Sequence, residues 1–331
     1  MRLPYPALIA LLTALVALMF AASLLIGPAA IGLSDSLGAL FRGEGEAVTL
    51  VMREVRLPRA ILGLFVGGAL GLSGAMMQGM LRNPLAEPGL IGTSASAALG
   101  AVIAIQTGLA AAFTLALPLA ALAGAMVSVA LILALAGPRG TTLVLILAGI
   151  GISAMAGALT SLVLNLSPNP FAASEIMFWI MGSLADRSMV HVTLALPFMV
   201  LGIALALPVA RGLDALTLGE DAAASMGVRV GRLRVLLVVS AAALVGAATA
   251  VAGAIGFVGL VVPHLLRRAV GARPALLLPA SALGGSAMVL AADIAVRLIA
   301  PDRDLKLGVL TALVGAPFFL HLILRSRKEV L

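Results

Sequence analysis

The sequence predicts an all-α, polytopic membrane protein of about ten transmembrane helices. Three observations carry this reading. Apolar residues make up 62% of the 331 residues, about 205 in all, against roughly 45–50% in an ordinary soluble domain. Charged residues are 11%, where about 25% is usual. The apolar residues also fall into long runs separated by short basic loops. A soluble chain of this composition could bury a large core but could not cover it. That excludes a soluble enzyme, and the same figures exclude a disordered chain. One span takes about 20 apolar residues, so the apolar total sets a ceiling of roughly ten spans.

The segments follow in order. The first run, Ala7 to Ile26, reads as a cleaved signal peptide or a retained span. Its length of about 20 residues favours the retained span over a 7–15-residue signal core. A polar stretch, Gly32 to Arg59, carries Asp35, Arg42, Glu44, Glu46, Arg53, Glu54, Arg56 and Arg59. Apolar runs then occupy about 60–81, 89–107, 110–136, 142–164, 190–209, 234–254, 274–297 and 308–324. A shorter run, about 256–266, covers only about half of a ~30 Å hydrocarbon core at 1.5 Å per residue. It is expected to be a short or broken helix packed inside the bundle. The whole makes ten membrane segments in a single permease domain, 1–331, with an inner loop at about 210–233. Gly67, Gly68, Gly71 and Gly74 allow close approach between helices. Tight packing and hinging are both open to them.

Charge supplies the orientation. With ten crossings the loops on the side of the termini hold 13 basic and five acidic residues, and the other side holds eight and nine. This bias puts both termini in the cytoplasm. The net charge of +7 is therefore a topological signal spread over short loops, and nucleic acid is not expected as a partner. There is no cysteine, so there is no disulfide framework and no thiolate chemistry. Neither lysine, Lys306 nor Lys328, lies in a P-loop context, so the chain is not expected to hold ATP that way. His191, His264 and His321 fall at span boundaries, with no metal-ligand or Ser–His spacing around them. No catalytic residue and no bound metal or cofactor is expected. A proton-coupled carrier would usually carry a mid-span carboxylate. The nearest candidate, Asp293, stands four residues before Arg297 and can pair with it along one helix face.

Three polar features remain. Arg56 and Arg59 flank Pro58 at a helix entrance and are expected to face outward. A guanidinium keeps its charge and binds carboxylates bidentately, so the pair reads as a dock for an acidic partner or as an interfacial anchor. The run Arg82 to Pro88 holds two prolines that set a tight turn, where Asn83 can bond free carbonyls. In the inner loop, Gly219 followed by Glu220 and Asp221 reads as a helix start, and Gly227 as a stop.

These stretches resemble the permease subunits of ATP-binding-cassette importers for iron-siderophores, haem and vitamin B12, the FecCD or BtuC-like family. The resemblance is carried by Arg56-Leu-Pro-Arg59, Ser73-Gly74 to Gln78 leading into Arg82-Asn-Pro-Leu-Ala86, Leu147-Ala-Gly149, and Phe178-Trp-Ile-Met-Gly182. It continues through Leu218-Gly219 to Gly227, Gly256 to His264, Ala292-Asp293 to Arg297, and Gly315-Ala-Pro-Phe318. It implies a type II ABC importer permease fold in the bacterial inner membrane. The implied partners are a second copy of the permease, two separate ATPase subunits that carry ATP and Mg, and a periplasmic substrate-binding protein. It further implies that Arg56, Arg59 and Arg297 receive the binding protein. Leu218, Gly219, Glu220, Ala222, Met226, Gly227 and Val228 would seat in the ATPase. Asn83, Leu85, Thr141 and Thr142 would line the cytoplasmic end of the path. The expected function is import of an iron complex, siderophore or haem, by alternating access. The alternatives are a vitamin B12 importer of the same family and, from another class, an ion-coupled secondary transporter.

Overall fold

The computed structural model describes residues 3–113, 115–137, 140–167, 170–300 and 305–330. Arg2, Arg139, Asp302, Arg303 and Asp304, which enter the charge tally, lie outside the described residues. The helices in chain order are α1 (Tyr5–Leu25), α2 (Leu33–Leu37), α3 (Glu46–Leu50), α4 (Leu57–Leu81), α5 (Thr93–Gln106), α6 (Leu109–Ala112), α7 (Ala116–Ala136) and α8 (Thr142–Asn165). They continue as α9 (Pro170–Ile180), α10 (Met189–Ala206), α11 (Ala210–Leu216), α12 (Glu220–Ser225), α13 (Val230–Ala252), α14 (Val258–Arg267), α15 (Pro274–Ile299) and α16 (Leu307–Val330). Short π-helical turns, Gly38–Arg42 and Val51–Arg56, follow α2 and α3, and a 3-10 turn, Pro88–Ile91, precedes α5.

Among the described residues, seven helices are long and apolar enough to cross a membrane: α1, α4 with its lead-in from Glu46, α7, α8, α10, α13 and α15. Three shorter apolar helices, α5, α14 and Leu307–Leu322 of α16, occupy the remaining expected runs. The polar stretch before Arg59 is not a plain loop, since α2, α3 and the two π turns fill it. Helix α9 was covered by no expected span and lies between the ends of α8 and α10.

Helix α4 is the axis. It is buried almost continuously from Gly67 to Met80, with α1, α10, α13, α14 and α15 packed around it. Glycine makes the closest of these contacts. A Cβ on Gly71 would fall on the Ser281 carbonyl, and one on Gly67 on the Gly285 carbonyl, so α4 and α15 meet backbone to backbone. The glycine run thus serves tight packing. The opposite regime holds at α8, where only Leu145, Gly149 and Ala156 are buried. Leu143, Leu147, Ile150, Met155 and Leu162 stand exposed on it. An apolar helix with so little covered needs lipid or another protein surface around it.

The short run becomes α14, ten residues or roughly 15 Å long. It is buried from Val258 to Pro263 and starts deep in the bundle. Its start is awkward, because Phe257 takes a left-handed conformation with φ of 68°. The Phe257 N–H, one of the orphan donors of a helix start, donates to Glu87 Oε1 at 3.1 Å.

Candidate functional site

At one end of the bundle the three expected docking arginines do come together, around Asp293. Asp293 is buried on α15, and Arg59 grips it with Nε at 3.0 and 3.1 Å and Nη2 at 2.8 Å. Arg297, one turn further along α15, donates from Nη2 to the other oxygen at 2.8 Å. The anticipated Asp293–Arg297 pair is therefore present, with Arg59 as an additional partner.

The arginines do not face outward as the sequence suggested. Arg56 is 4% exposed and Arg297 8%. Arg56 Nη1 donates to the carbonyls of Leu24 and Leu25, at 3.0 and 2.9 Å. Arg297 Nη1 donates to those of Ser23 and Ile26, at 2.8 and 2.6 Å, and its Nη2 also reaches the Ser23 hydroxyl. The reason is local. The last carbonyls of α1 have no partner within the helix and lie at the negative end of its dipole. Two guanidiniums satisfy them and staple α1, α4 and α15 together. Arg59 keeps a side-chain exposure of 17% and is the most accessible of the three.

At the other end, the loop between α10 and α13 folds as expected around its two glycines. Gly219, with φ of 110°, precedes α12, and Gly227, with φ of 87°, ends it. The Gly227 N–H donates to the Ala224 carbonyl at 2.9 Å and that of Val228 to Ala223 at 3.0 Å, the paired bonds of a Schellman stop. Leu218 and Met226 project at 68% and 58% exposure. Ala223 is the buried residue of this helix, while Ala222 is half-buried.

Asn83 follows α4 and is exposed. Its Oδ1 accepts the Leu85 N–H at 2.9 Å, so it closes its own turn instead of bonding free carbonyls. Thr141 caps α8 by accepting the Val144 N–H at 3.3 Å. Thr142 bonds to Glu220, so two residue sets that the sequence kept apart are in contact.

Sequence reasoning missed Arg234. It pairs with Glu220 and donates to Thr142 and to the Gly140 carbonyl. In the sequence it only marks the cytoplasmic start of the apolar run at about 234–254. The Arg234 guanidinium, with Thr142 assisting, holds the Glu220 carboxyl below its ordinary range against the opposing pull of partial burial. Among the described residues, no group of histidine, aspartate and glutamate is placed to hold a metal ion.

The FecCD transport family matches residues 15–325. The chain belongs to this family. Within the FecCD family it is 41% identical to the cobalamin import system permease BtuC of Halobacterium salinarum, over 86% of this chain and 76% of that protein. It is 39% identical to the Fe(3+) dicitrate permease FecD of Escherichia coli, over 84% and 86% of the two chains. It is also 39% identical to the hemin permease HmuU of Yersinia pestis, over 86% of each. A solved structure described as an inward-facing conformation of a metal-chelate type ABC transporter superposes with a TM-score of 0.85 at 32% identity, covering 97% of this chain and 99% of that one. These likenesses join the ten apolar segments and the α4–α15 axis to a transport permease of the FecCD family.

Proposed function

We propose that this FecCD permease forms the membrane path of an ATP-driven importer for an iron complex, a ferric siderophore or haem. It sits in the bacterial inner membrane with both termini cytoplasmic and works as a homodimer. Two ATPase subunits lie below it, holding ATP and Mg, and a periplasmic binding protein delivers the ligand. The observation that carries the reading is α12. A short helix framed by two left-handed glycines presents Leu218 and Met226 bare at the polar end of an apolar bundle. Such an exposed apolar pair on a polar loop suits the groove of a soluble partner. Val228, which closes the Schellman stop, fixes the angle at which the helix is offered.

ATP binding would draw the ATPases together and displace α12, shifting the population between outward- and inward-open states, and hydrolysis would reset it. Asn83, Leu85, Thr141 and Thr142 then close the cytoplasmic end of a path along the exposed face of α8. Docking would engage Arg59 first, with Arg56 and Arg297 behind it. The ion-coupled alternative is disfavoured by Asp293. This α15 carboxylate is held by two arginines near the end of the helix.

A corrinoid ligand is the second reading, favoured by the cobalamin permease at 41% identity. Purified permease and ATPase in proteoliposomes, with the cognate binding protein loaded from a panel of ferric siderophores, haem and cyanocobalamin, test both. Uptake is expected only with ATP and ATPase, and only for the iron complexes. Uptake driven by an ion gradient without the ATPase would sink the importer reading. Uptake of cyanocobalamin alone would move the ligand to the second.

A further inference from the structure

Three separate parts of the chain close a hydrogen-bonded ring at the end of the bundle from which α12 protrudes. Thr142 opens α8, and its hydroxyl is used in both senses. It donates to Glu220 Oε1 at 2.9 Å and accepts from Arg234 Nε at 3.0 Å. Arg234 Nη2 pairs with the second oxygen of Glu220, and Nη1 donates to the Gly140 carbonyl at 2.8 Å. Glu220 is the first residue of α12, Arg234 lies in the second turn of α13, Thr142 is the first residue of α8, and Gly140 precedes it. Bonds in which both partners are charged, or one is, are the stronger kind. The Arg234 side chain is only 11% exposed, so water competes little for it.

The surroundings give this ring its consequence. Helix α12 packs on α11 and α13 and reaches α8 through the Glu220 side chain. Helix α8 buries only Leu145, Gly149 and Ala156 against the bundle, so few packing contacts compete with the ring for its position. Thr142 and Glu220 are 78 residues apart in the chain, and Thr142 and Arg234 are 92 apart. The ring is thus a direct polar bridge between the segment offered to the ATPase and the segment that closes the path.

We propose that the Glu220–Thr142–Arg234 ring is the transmission element that carries displacement of α12 to residues 140–142 and so to α8. The proposal rests on reading α12 as the ATPase seat. Thr142, Glu220 and Arg234 are positioning residues in it. None needs to touch the transported ligand, and their role is to leave no slack between two segments that would otherwise slide past each other.

The absence of cysteine from the chain allows clean thiol labelling. Leu143→Cys reports the start of α8, and Thr217→Cys reports the loop before α12; both positions are exposed. Each is spin-labelled in the full transporter, assembled with its ATPase in lipid nanodiscs. The distance between the two copies of the label is measured without nucleotide and with ATP plus vanadate. Both distances are expected to change. With Thr142→Val, the change at 217 should persist while the change at 143 falls by at least half. Thr142→Ser, which restores the hydroxyl, should recover it. Glu220→Gln, at a half-exposed position and so tolerant of change, should give a partial loss at 143.

A full response at 143 in both Thr142→Val and Glu220→Gln, with 217 responding, overturns the transmission role and leaves the seat intact. Loss at 143 in Thr142→Ser as well as Thr142→Val also overturns it, because bulk and not the hydroxyl would then matter. If neither label responds in the otherwise unaltered transporter, the ATPase seat itself is wrong and the ring falls with it.

Discussion

Asp293→Asn tests the arginine cluster most directly. The side chain is 1% exposed and takes three contacts from Arg59 and one from Arg297, between 2.8 and 3.1 Å. Asparagine keeps the shape and one acceptor oxygen but removes the charge. Two desolvated guanidiniums would then share a site without a counter-ion. Removing one partner of a buried pair costs about 3–5 kcal/mol. Arg297 retains its carbonyl partners on α1, and the amide retains an acceptor, so the lower end, about 3 kcal/mol, is expected. That is more than a hundredfold in the unfolding equilibrium, at about 1.4 kcal/mol per factor of ten. The assay is reversible unfolding in mixed micelles of lipid and SDS, followed by helical circular dichroism. Arg273→Ala supplies the contrast, because the Arg273–Asp214 pair is 3.5 Å long with side chains 66% and 28% exposed. Its loss should cost under about 0.5 kcal/mol. If Asp293→Asn lies within about 1 kcal/mol of the parent, the cluster is solvated and the staple reasoning fails.

Gly71→Ala should cost about 2–3 kcal/mol in the same assay, since its methyl meets the Ser281 carbonyl. Gly231→Ala, with nothing within 4 Å, should be neutral or stabilising by up to about 1 kcal/mol; equal losses at both sites would refute the seam. For Glu220 the folded carboxyl is held below its ordinary range by Arg234 and Thr142. Its contribution is therefore present in full above the ordinary value of 4.5 and lost as pH falls through the lowered one. The stability gap between the parent and Glu220→Gln should stay flat from neutral pH down to that ordinary value and close only below it; a gap that closes well above it would contradict the pairing. Joint charge reversal of Arg56 and Arg59 should weaken capture of the binding protein, most at low ionic strength. Thermal unfolding of the same samples separates loss of dock from loss of fold, and unchanged affinity refutes the dock.

Periodic and local features were readable from the sequence. The ten apolar runs, the half-length run at about 256–266 among them, the glycine seam on α4 and the glycine frame of α12 all depend on spacing within a few residues. The Asp293–Arg297 pair belongs with them, being one helical turn apart. What escaped depended on meetings between distant segments. Arg56 and Arg297 turn inward because α1 ends beside them with bare carbonyls, which no pattern around residue 56 records. Arg234 was hidden for the same reason, since its partners lie 14 and 92 residues away. The polar stretch before Arg59 misled differently. Its charges mark no element, yet short helical and π-helical turns fill it, with Phe41 and Leu50 exposed and Arg56 buried.

The brevity of α14 bears on how the protein is made. A ten-residue segment is too short to be recognised as a span by the insertion machinery on its own. In the proposed orientation, α13 and α14 would have to enter the bilayer together as a hairpin led by the bend at 253–257. Arg267, Arg268 and Arg273 would stay behind on the cytoplasmic side and anchor its open end. Once inserted, α14 is held by α4 and α15, helices made before and after it, so its final place depends on a neighbour that is not yet made when α14 enters.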